Sequence, residues 1–176
     1  MASKKIPFAP TTYAKNIDEI EWAIKRRGWP KISESNVETF HRIAAVEIKG
    51  SAKLYRVVDP ESRADGLFWM TEKDFTNLKT RQQWRTESAV KEEWNSNGQY
   101  VEYEIKAGET LKVWQGPAAS QQYEGNLWYK GGGDQVVFYP EANRVSSRKA
   151  TGWGYLDRDE QLLNARILVD LSGKKM

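Results

Sequence analysis

The stretch Lys53–Val58, with the sequence KLYRVV, marks the point at which the hydrophobic pattern of this chain changes from helical to strand-like. A run of apolar and β-branched residues followed by the turn-forming pair Asp59-Pro60 is typical of a β-strand. Upstream, the pattern of Asp18–Lys25 predicts a short amphipathic helix that ends at Gly28. The chain therefore begins with helical segments and continues with strands.

A second helix is predicted immediately before this change. Ser35–Glu38 has the spacing of a capping box, and the apolar positions that follow it recur at the helical period as far as about Ile48. Residues 1–12 are expected to form an irregular arm, because Pro7 and Pro10 oppose regular structure.

Downstream of Val58 the sequence predicts short strands with one helical interruption, a long or broken helix at Lys73–Glu93. The turn signals Asn97-Gly98 and Ala107-Gly108 predict that two of the strands form a hairpin. The predicted fold class is α+β, with N-terminal helices packed on a curved, mostly antiparallel sheet. Residues 1–50 are either part of the same domain or a docking segment, and residues 51–176 contain the sheet. The predicted strands are Gly66–Met70, Gln99–Ile105, Glu109–Trp114, Gln135–Tyr139 and Leu162–Leu171.

The composition argues against several kinds of site. The chain has no cysteine and one histidine, His41, so disulfides, Cys-ligated zinc and His-pair metal sites are excluded, and a nucleophile–histidine–acid triad is disfavoured. The net charge of +3 arises from 27 basic and 24 acidic residues and shows no basic stripe of the kind that nucleic-acid-binding proteins carry. The sequence contains neither a signal peptide nor an apolar run long enough to span a bilayer.

A glycine-rich loop runs into a predicted strand at residues 130–139, KGGGDQVVFY. Three glycines allow positive φ angles and a close approach of the backbone to a ligand. The step Asp134-Gln135 places the glutamine where loop meets sheet, a common location for a side chain that acts on a small molecule. A glycine-rich hairpin loop without a ligand is the alternative.

Three further residues are candidates for ligand contacts. Arg56 interrupts an apolar strand and either faces solvent or reaches into a cleft, where its planar fork suits a phosphate or carboxylate. Phe68 and Trp69 either pack in the core or offer a stacking platform for a nucleobase or nicotinamide.

Taken in order, these motifs resemble the tuberculosis-necrotizing-toxin family of NAD(P)+ glycohydrolases, bacterial secreted toxin domains with a fold related to ADP-ribosyltransferases. The likeness covers residues 53–140 and includes YVEYEI at 100–105, VWQGPAA at 113–119 and GGGDQ at 131–135. The resemblance implies an ADP-ribosyltransferase-like fold and an NAD-cleaving domain at residues 51–176. It also implies hydrolysis of NAD+ or NADP+ to nicotinamide and ADP-ribose, with the dinucleotide as substrate and neither cofactor nor metal.

The resemblance also assigns roles to residues. Gln135 falls on the family's catalytic glutamine, and Arg56 falls on the arginine near the substrate phosphates. A second arginine of the family corresponds to Arg81 or Arg85, and Arg85 is favoured. The substrate-binding residues that the resemblance implies are Arg85, Phe68, Trp69, Thr71, Gly132 and Gly133.

The family context implies partners and a location. A delivery protein or upstream domain would export the chain, which has no classical signal peptide, and the toxin would act in the cytoplasm of a target cell during interbacterial competition. A cognate immunity protein would block the cleft in the producer. No membrane partner is implied, and a nucleic-acid partner is disfavoured.

Two other functions remain open from the residues. Glu102 and Glu104 have the Glu-x-Glu spacing of ADP-ribosyltransferases acting on a protein or nucleic acid, although a half-exposed strand explains the same alternation. The aromatic, strand-rich half also fits a non-enzymatic module that binds single-stranded nucleic acid by stacking. A nuclease is the weakest alternative, because one histidine leaves little acid–base machinery.

Overall fold

The computed structural model describes residues 11–13, 16–91, 94–124 and 127–154. The strand predicted at Leu162–Leu171 and most of the predicted N-terminal arm lie outside the described residues. The helices are α1 (Ile17–Arg27), α2 (Glu34–Val37), α3 (Glu72–Thr76) and α4 (Arg81–Ser88), with a 3₁₀ turn at Ala142–Arg144. The strands are β1 (Thr11–Tyr13), β2 (Ile43–Lys49), β3 (Ala52–Val58), β4 (Phe68–Thr71), β5 (Gln99–Ile105), β6 (Thr110–Pro117), β7 (Gln121–Glu124), β8 (Leu127–Tyr129), β9 (Asp134–Val137) and β10 (Lys149–Ala150).

Eight of the strands form one sheet, in the order β10-β5-β3-β4-β9-β6-β2-β1, and β7 pairs separately with β8. Every neighbouring pair within the sheet is antiparallel. This architecture confirms the α+β class and the mostly antiparallel sheet. The predicted helix at Lys73–Glu93 is broken into α3 and α4.

Helix α1 forms where the sequence predicts it, and both of its ends are capped. The side chain of Asn16 accepts a hydrogen bond from the main-chain nitrogen of Glu19, and Gly28 ends the helix with a φ of 82°. Acidic residues in the first turn and basic residues in the last turn oppose the helix dipole. Ile20 and Ala23 are buried against the sheet.

The second predicted helix is wrong for most of its length. Helix α2 ends at Val37, and Ile43–Lys49 is the strand β2, which pairs with β6 over six residues. Ile43, Ala44 and Ala45 are all buried, so the strand lacks the usual alternation of buried and exposed residues. Its apolar positions could therefore be mistaken for the apolar face of a helix. Because β2 is a strand of the same sheet, the segment before residue 50 pairs directly with strands that come after it.

The predicted hairpin between the fifth and sixth strands is also wrong. The turn at Gly108 is present, but β5 pairs with β3 and β10, whereas β6 pairs with β2 and β9. The β2–β6 ladder ends at Lys49 and the β3–β5 ladder starts at Ala52, so both ribbons bend at the same corner. A Cβ atom on Gly50 would lie 1.8 Å from the Lys106 carbonyl oxygen. The corner therefore requires glycine.

The bend brings the two halves of the sheet onto one central core. Leu54 and Val101 from one half and Val113 and Val136 from the other are buried together there. A second cluster lies under α1 and α2 and contains the fully buried Trp114. Further clusters lie against α3 and α4. Among the described helices, none has the length and apolar character needed to cross a bilayer.

Candidate functional site

A cleft of about 640 Å³ lies between α2, the strands β3, β4 and β9, and the segment that follows α4. This volume is in the range of small-molecule sites. Four of the residues predicted from the sequence line it, namely Gln135, Arg56, Phe68 and Trp69. The structure therefore brings together side chains from positions that are far apart in the chain.

Gln135 is the second residue of β9, and its side-chain amide is held by Thr39. The amide nitrogen donates to the Thr39 hydroxyl at 3.0 Å and to the Thr39 carbonyl oxygen at 3.2 Å. A carbonyl oxygen can only accept a hydrogen bond, so this contact fixes which end of the amide faces Thr39. The amide oxygen makes no hydrogen bond within the described residues and is available to a ligand.

Thr39 is itself held in place. Its hydroxyl donates to the carbonyl oxygen of Asn36 at 2.6 Å, and its own carbonyl oxygen also accepts from the main-chain nitrogen of Ala119 at 2.8 Å. The position of the Gln135 amide therefore depends on the turn after α2, a segment that sequence reasoning assigned to a continuous helix.

Arg56 bridges β3 and β4 where their pairing ends. The last paired residues are Tyr55 and Met70, and the Arg56 guanidinium then donates to the Phe68 carbonyl oxygen at 3.1 Å and the Arg63 carbonyl oxygen at 3.0 Å. Burial lowers the pKa of Arg56 to about 10. Arg56 forms no ion pair with a carboxylate in the described part of the chain.

Gly66 lies directly against this guanidinium, and there is room for both because glycine has no side chain. A Cβ atom at Gly66 would lie 2.3 Å from Nη2 of Arg56. In the sequence, Gly66 stands out only as the first residue of the predicted strand Gly66–Met70.

The two predicted aromatic residues differ in their availability. Trp69 is 2% exposed, its indole nitrogen donates to the Gly66 carbonyl oxygen at 2.8 Å, and its ring packs against Tyr103 and Phe138. Trp69 is therefore a core residue at the edge of the cleft. Phe68 is only partly buried and is the one of these two rings that a ligand could contact.

Both candidates for the predicted second arginine contact other parts of the fold and lie outside the cleft. Arg85 is 8% exposed, and its guanidinium donates to the Val90 carbonyl oxygen at 2.8 Å, just beyond the end of α4. Arg81 lies against Gly98. Neither arginine lines the cleft. Thr71 is the N-cap of α3, where its hydroxyl accepts from the main-chain nitrogen of Asp74, and it also lies outside the lining.

The glycine-rich loop supports the site from outside. Gly131 donates to the Thr86 carbonyl oxygen and Gly133 to the Glu87 carbonyl oxygen, both at 2.8 Å, so the loop is fixed to the end of α4. A Cβ atom at Gly133 would lie 2.9 Å from that Glu87 oxygen. Gly132 and Gly133 do not line the cleft. Their contacts show a role in placing the start of β9 and hence Gln135.

Sequence reasoning missed a carboxylate in the lining. Asp134 borders the cleft beside Gln135 and accepts a hydrogen bond from the side-chain amide of Gln115. Burial raises the pKa of Asp134, the charge of Asp74 adds to the shift, and the Gln115 hydrogen bond opposes it. The only sequence signal was its place next to the glutamine.

The other side of the cleft is pinned by Asp59. One carboxylate oxygen accepts from Ser62 and the main-chain nitrogen of Glu61, and the other accepts from Ser96, so Asp59 joins two loops. Burial alone would raise the pKa of Asp59, but these hydrogen bonds outweigh it and hold the pKa at about 2. Asn95, next to Ser96, donates to the Val57 carbonyl oxygen at 3.0 Å.

The Glu-x-Glu pair lies elsewhere. Glu102 is paired with Lys149 at 3.3 Å and Lys53 at 3.7 Å, and Glu104 is exposed. Neither carboxylate lines the cleft. In the part of the chain that the structure describes, no group of three or more histidine, aspartate or glutamate side chains is arranged to hold a metal ion.

Comparisons of this chain with protein-family models, with curated proteins and with solved structures found no match. The family resemblance drawn from the sequence motifs therefore remains a prediction. The case for a function depends on the cleft and on the residues that line it.

Proposed function

We propose that the cleft binds NAD+ or NADP+ and hydrolyses the bond between nicotinamide and ribose, releasing nicotinamide and ADP-ribose. The observation that carries the proposal is the orientation of Gln135 by Thr39. It leaves a neutral hydrogen-bond acceptor at a fixed position in the lining, suited to a ribose hydroxyl.

The chemistry asks little of the protein beyond positioning. Nicotinamide is cationic in the dinucleotide and departs as a neutral molecule, while positive charge builds up on the ribose. Water then adds to the ribose carbon and releases its proton to the solvent. An enzyme for this reaction must hold the ribose, admit water and surround the developing charge with fixed dipoles. Gln135 supplies such a dipole without a cysteine, histidine or metal.

Two further residues complete the proposed binding mode. Phe68, at the edge of the cleft, contacts the nicotinamide ring. Arg56 is the single basic residue in the described lining and has no carboxylate partner, so its charge is available to the diphosphate. Through its bond to the Phe68 carbonyl oxygen, Arg56 also positions this aromatic residue.

Loss of NAD+ is harmful to any cell. In line with the sequence resemblance, we propose that the chain is a toxin or effector domain that reaches a target-cell cytoplasm with a delivery protein. The producing cell would then need an immunity protein that covers the cleft.

The proposal is tested by incubating purified protein with NAD+ or NADP+ and quantifying nicotinamide and ADP-ribose by chromatography. We expect release of both products, and a loss of rate of about 10²-fold or more in Gln135→Ala. Gln122→Ala is the matched control, because this glutamine is exposed on β7 and does not line the cleft.

Other results would contradict the proposal. Unchanged turnover in Gln135→Ala would remove Gln135 from the mechanism. Nicotinamide release with ADP-ribose retained on a macromolecule would indicate a transferase and direct attention to Glu102 and Glu104. The absence of turnover of either dinucleotide would overturn the proposed function.

A further inference from the structure

Trp94 is a large apolar side chain left exposed at the cleft. It is 52% exposed and lines the same cleft as Gln135. Three other large hydrophobic side chains in the described residues are exposed to a similar degree, Ile17, Trp22 and Tyr139, and none of them lines this cleft. A solvent-exposed indole beside a cavity can stack against an apolar, planar group of a ligand.

Hydrogen bonds hold the segment from Trp94 to Ser96 in place. Its main-chain nitrogen donates to the Lys91 carbonyl oxygen at 3.0 Å. The next residue, Asn95, is 8% exposed and bonded to β3, and the main-chain nitrogen of Ser96 donates to Asp59 at 2.8 Å. The exposed ring is thus presented by an anchored segment, which lowers the entropic cost of binding a ligand.

A cation covers part of the indole. The ammonium group of Lys91 lies 5.1 Å from the centroid of the Trp94 ring, a cation–π distance. No other aromatic ring in the described residues packs against Trp94. About half of the Trp94 side chain is exposed, and this exposed surface is where a ligand ring could stack, with a positive charge close by.

The position of Trp94 relative to Gln135 suits the two ends of a dinucleotide. Asn95 is bonded to β3, whereas Gln135 belongs to β9, and β4 lies between these strands. Two strand spacings amount to about 10 Å. Arg56 bridges β3 and β4 in the interval. A ligand with its nicotinamide ribose at Gln135 would pass its diphosphate near Arg56 and place its second base toward Trp94.

We propose that Trp94 is the stacking platform for the purine base of a nucleotide ligand, which on the proposed function is the adenine of NAD+ or NADP+. A single base stacked on an aromatic side chain contributes about 1–3 kcal/mol, so loss of the ring should weaken binding roughly 5- to 150-fold. Nicotinamide mononucleotide has no purine base and should not depend on Trp94.

The test measures binding separately from turnover. AMP is titrated calorimetrically into wild type, Trp94→Ala, Trp94→Phe and Trp22→Ala. Nicotinamide mononucleotide and NAD+ are titrated into the same four proteins carrying Gln135→Ala as well, in which the proposed cleavage is about 10²-fold slower. Trp22→Ala is the matched control, because Trp22 is 41% exposed on α1 and carries its own cation–π contact with Arg27. We expect Trp94→Ala to weaken AMP and NAD+ by the stated factor and to leave nicotinamide mononucleotide unchanged. Trp94→Phe should retain most of the affinity.

The outcomes separate this inference from the proposed function. NAD+ hydrolysis with AMP and NAD+ affinities that ignore Trp94→Ala would overturn the purine platform and leave the glycohydrolase standing. AMP binding that depends on Trp94 in a protein without NAD+ turnover would support the platform and overturn the glycohydrolase. Absence of binding of all three nucleotides, together with absence of NAD+ turnover, would overturn both.

Discussion

The side-chain amide of Gln135 donates to Thr39 at two oxygens, the hydroxyl at 3.0 Å and the carbonyl at 3.2 Å, across 96 residues of sequence. The carbonyl contact sets the orientation of the amide, and the hydroxyl contact is the one that a substitution can remove. The pair therefore allows the role of orientation to be separated from the presence of the glutamine.

Thr39→Val should lower the rate of NAD+ cleavage while leaving the fold intact. The substitution removes one of two acceptors for the Gln135 amide and also the bond from the Thr39 hydroxyl to the Asn36 carbonyl oxygen. One hydrogen bond of about 1 kcal/mol to the amide corresponds to a roughly fivefold loss in kcat. Steady-state kinetics of nicotinamide release checks this. Thr76→Val is the control, since its exposed hydroxyl bonds only the carbonyl oxygen of Lys73 in α3. An equal effect of both substitutions would speak against orientation by Thr39.

Gly66→Ala should disturb Arg56. The new Cβ atom would lie 2.3 Å from Nη2, so the guanidinium must move away from the carbonyl oxygens of Arg63 and Phe68. We expect a lower melting temperature and a higher KM for NAD+. Gly154→Ala serves as the control, because among the described residues no atom beyond its chain neighbours lies within 4 Å of its Cβ position. Wild-type KM in Gly66→Ala would show that the position of Arg56 is irrelevant to substrate.

Arg85→Met should reduce stability and not catalysis. Arg85 is buried, and its bond to Val90 follows the end of α4. Loss of this bond from a charged donor should destabilise the protein by about 1.5–3 kcal/mol. Chemical denaturation measures the loss, and activity per folded molecule should stay within about twofold, since an effect of that size is under 1 kcal/mol. A large fall in kcat/KM with unchanged stability would return Arg85 to the substrate site.

Asp59→Asn should flatten the acid side of the stability curve. The pKa of Asp59 falls from 3.8 to about 2 on folding. A carboxyl group whose pKa is depressed in the folded state contributes stability above its unfolded pKa, and this stability is lost as the pH falls through its folded pKa. Thermal melts between pH 2 and 7 should show the difference from wild type narrowing below about pH 4. Glu61→Gln, an exposed change in the same loop, should follow wild type.

Asp134→Asn should change the stability at pH 7 in the opposite direction to Asp59→Asn. Burial and the nearby Asp74 raise the pKa of Asp134, so ionisation opposes folding. The variant should be at least as stable as wild type at pH 7, and any advantage should disappear as the pH falls and the wild-type carboxyl group becomes protonated. Melting curves at pH 4 and 7 test this. Lower stability of the variant at pH 7 would show that the charged form is favoured at this site.

The sequence predicted the strand at Lys53–Val58 because an apolar, β-branched run is followed by the turn-forming pair Asp59-Pro60. It predicted the strand at Gln99–Ile105 because apolar and polar residues alternate there. It missed β2, where Ile43, Ala44 and Ala45 are buried in succession and the strand is defined by its pairing with β1 and β6. Local spacing does not contain this information. The false hairpin has a similar cause, since the turn at Gly108 is real and the pairing partners of its two strands are distant.

The site was predicted unevenly for related reasons. Gln135 was identifiable because its motif is contiguous, and the structure places it in the cleft. Thr39 could not be identified, because its contact with Gln135 spans most of the described chain and its segment had been assigned to a helix. Trp94 directly follows the predicted helix at Lys73–Glu93, and its exposure at the cleft is a tertiary property that no local pattern reveals.

The corner at Gly50 also bears on how late in its synthesis the protein can complete its fold. It joins two ladders, β2–β6 and β3–β5, and neither ladder pairs strands that are neighbours in sequence. Such distant pairings carry a large loop-closure cost and make folding slow. During synthesis, β2 cannot pair with β6 until β6 has been made. Thr39 cannot bond to Gln135 until β9 has left the ribosome. Fragments that end before β9 are therefore expected to lack the proposed activity, because they contain neither Gln135 nor the strand that carries it.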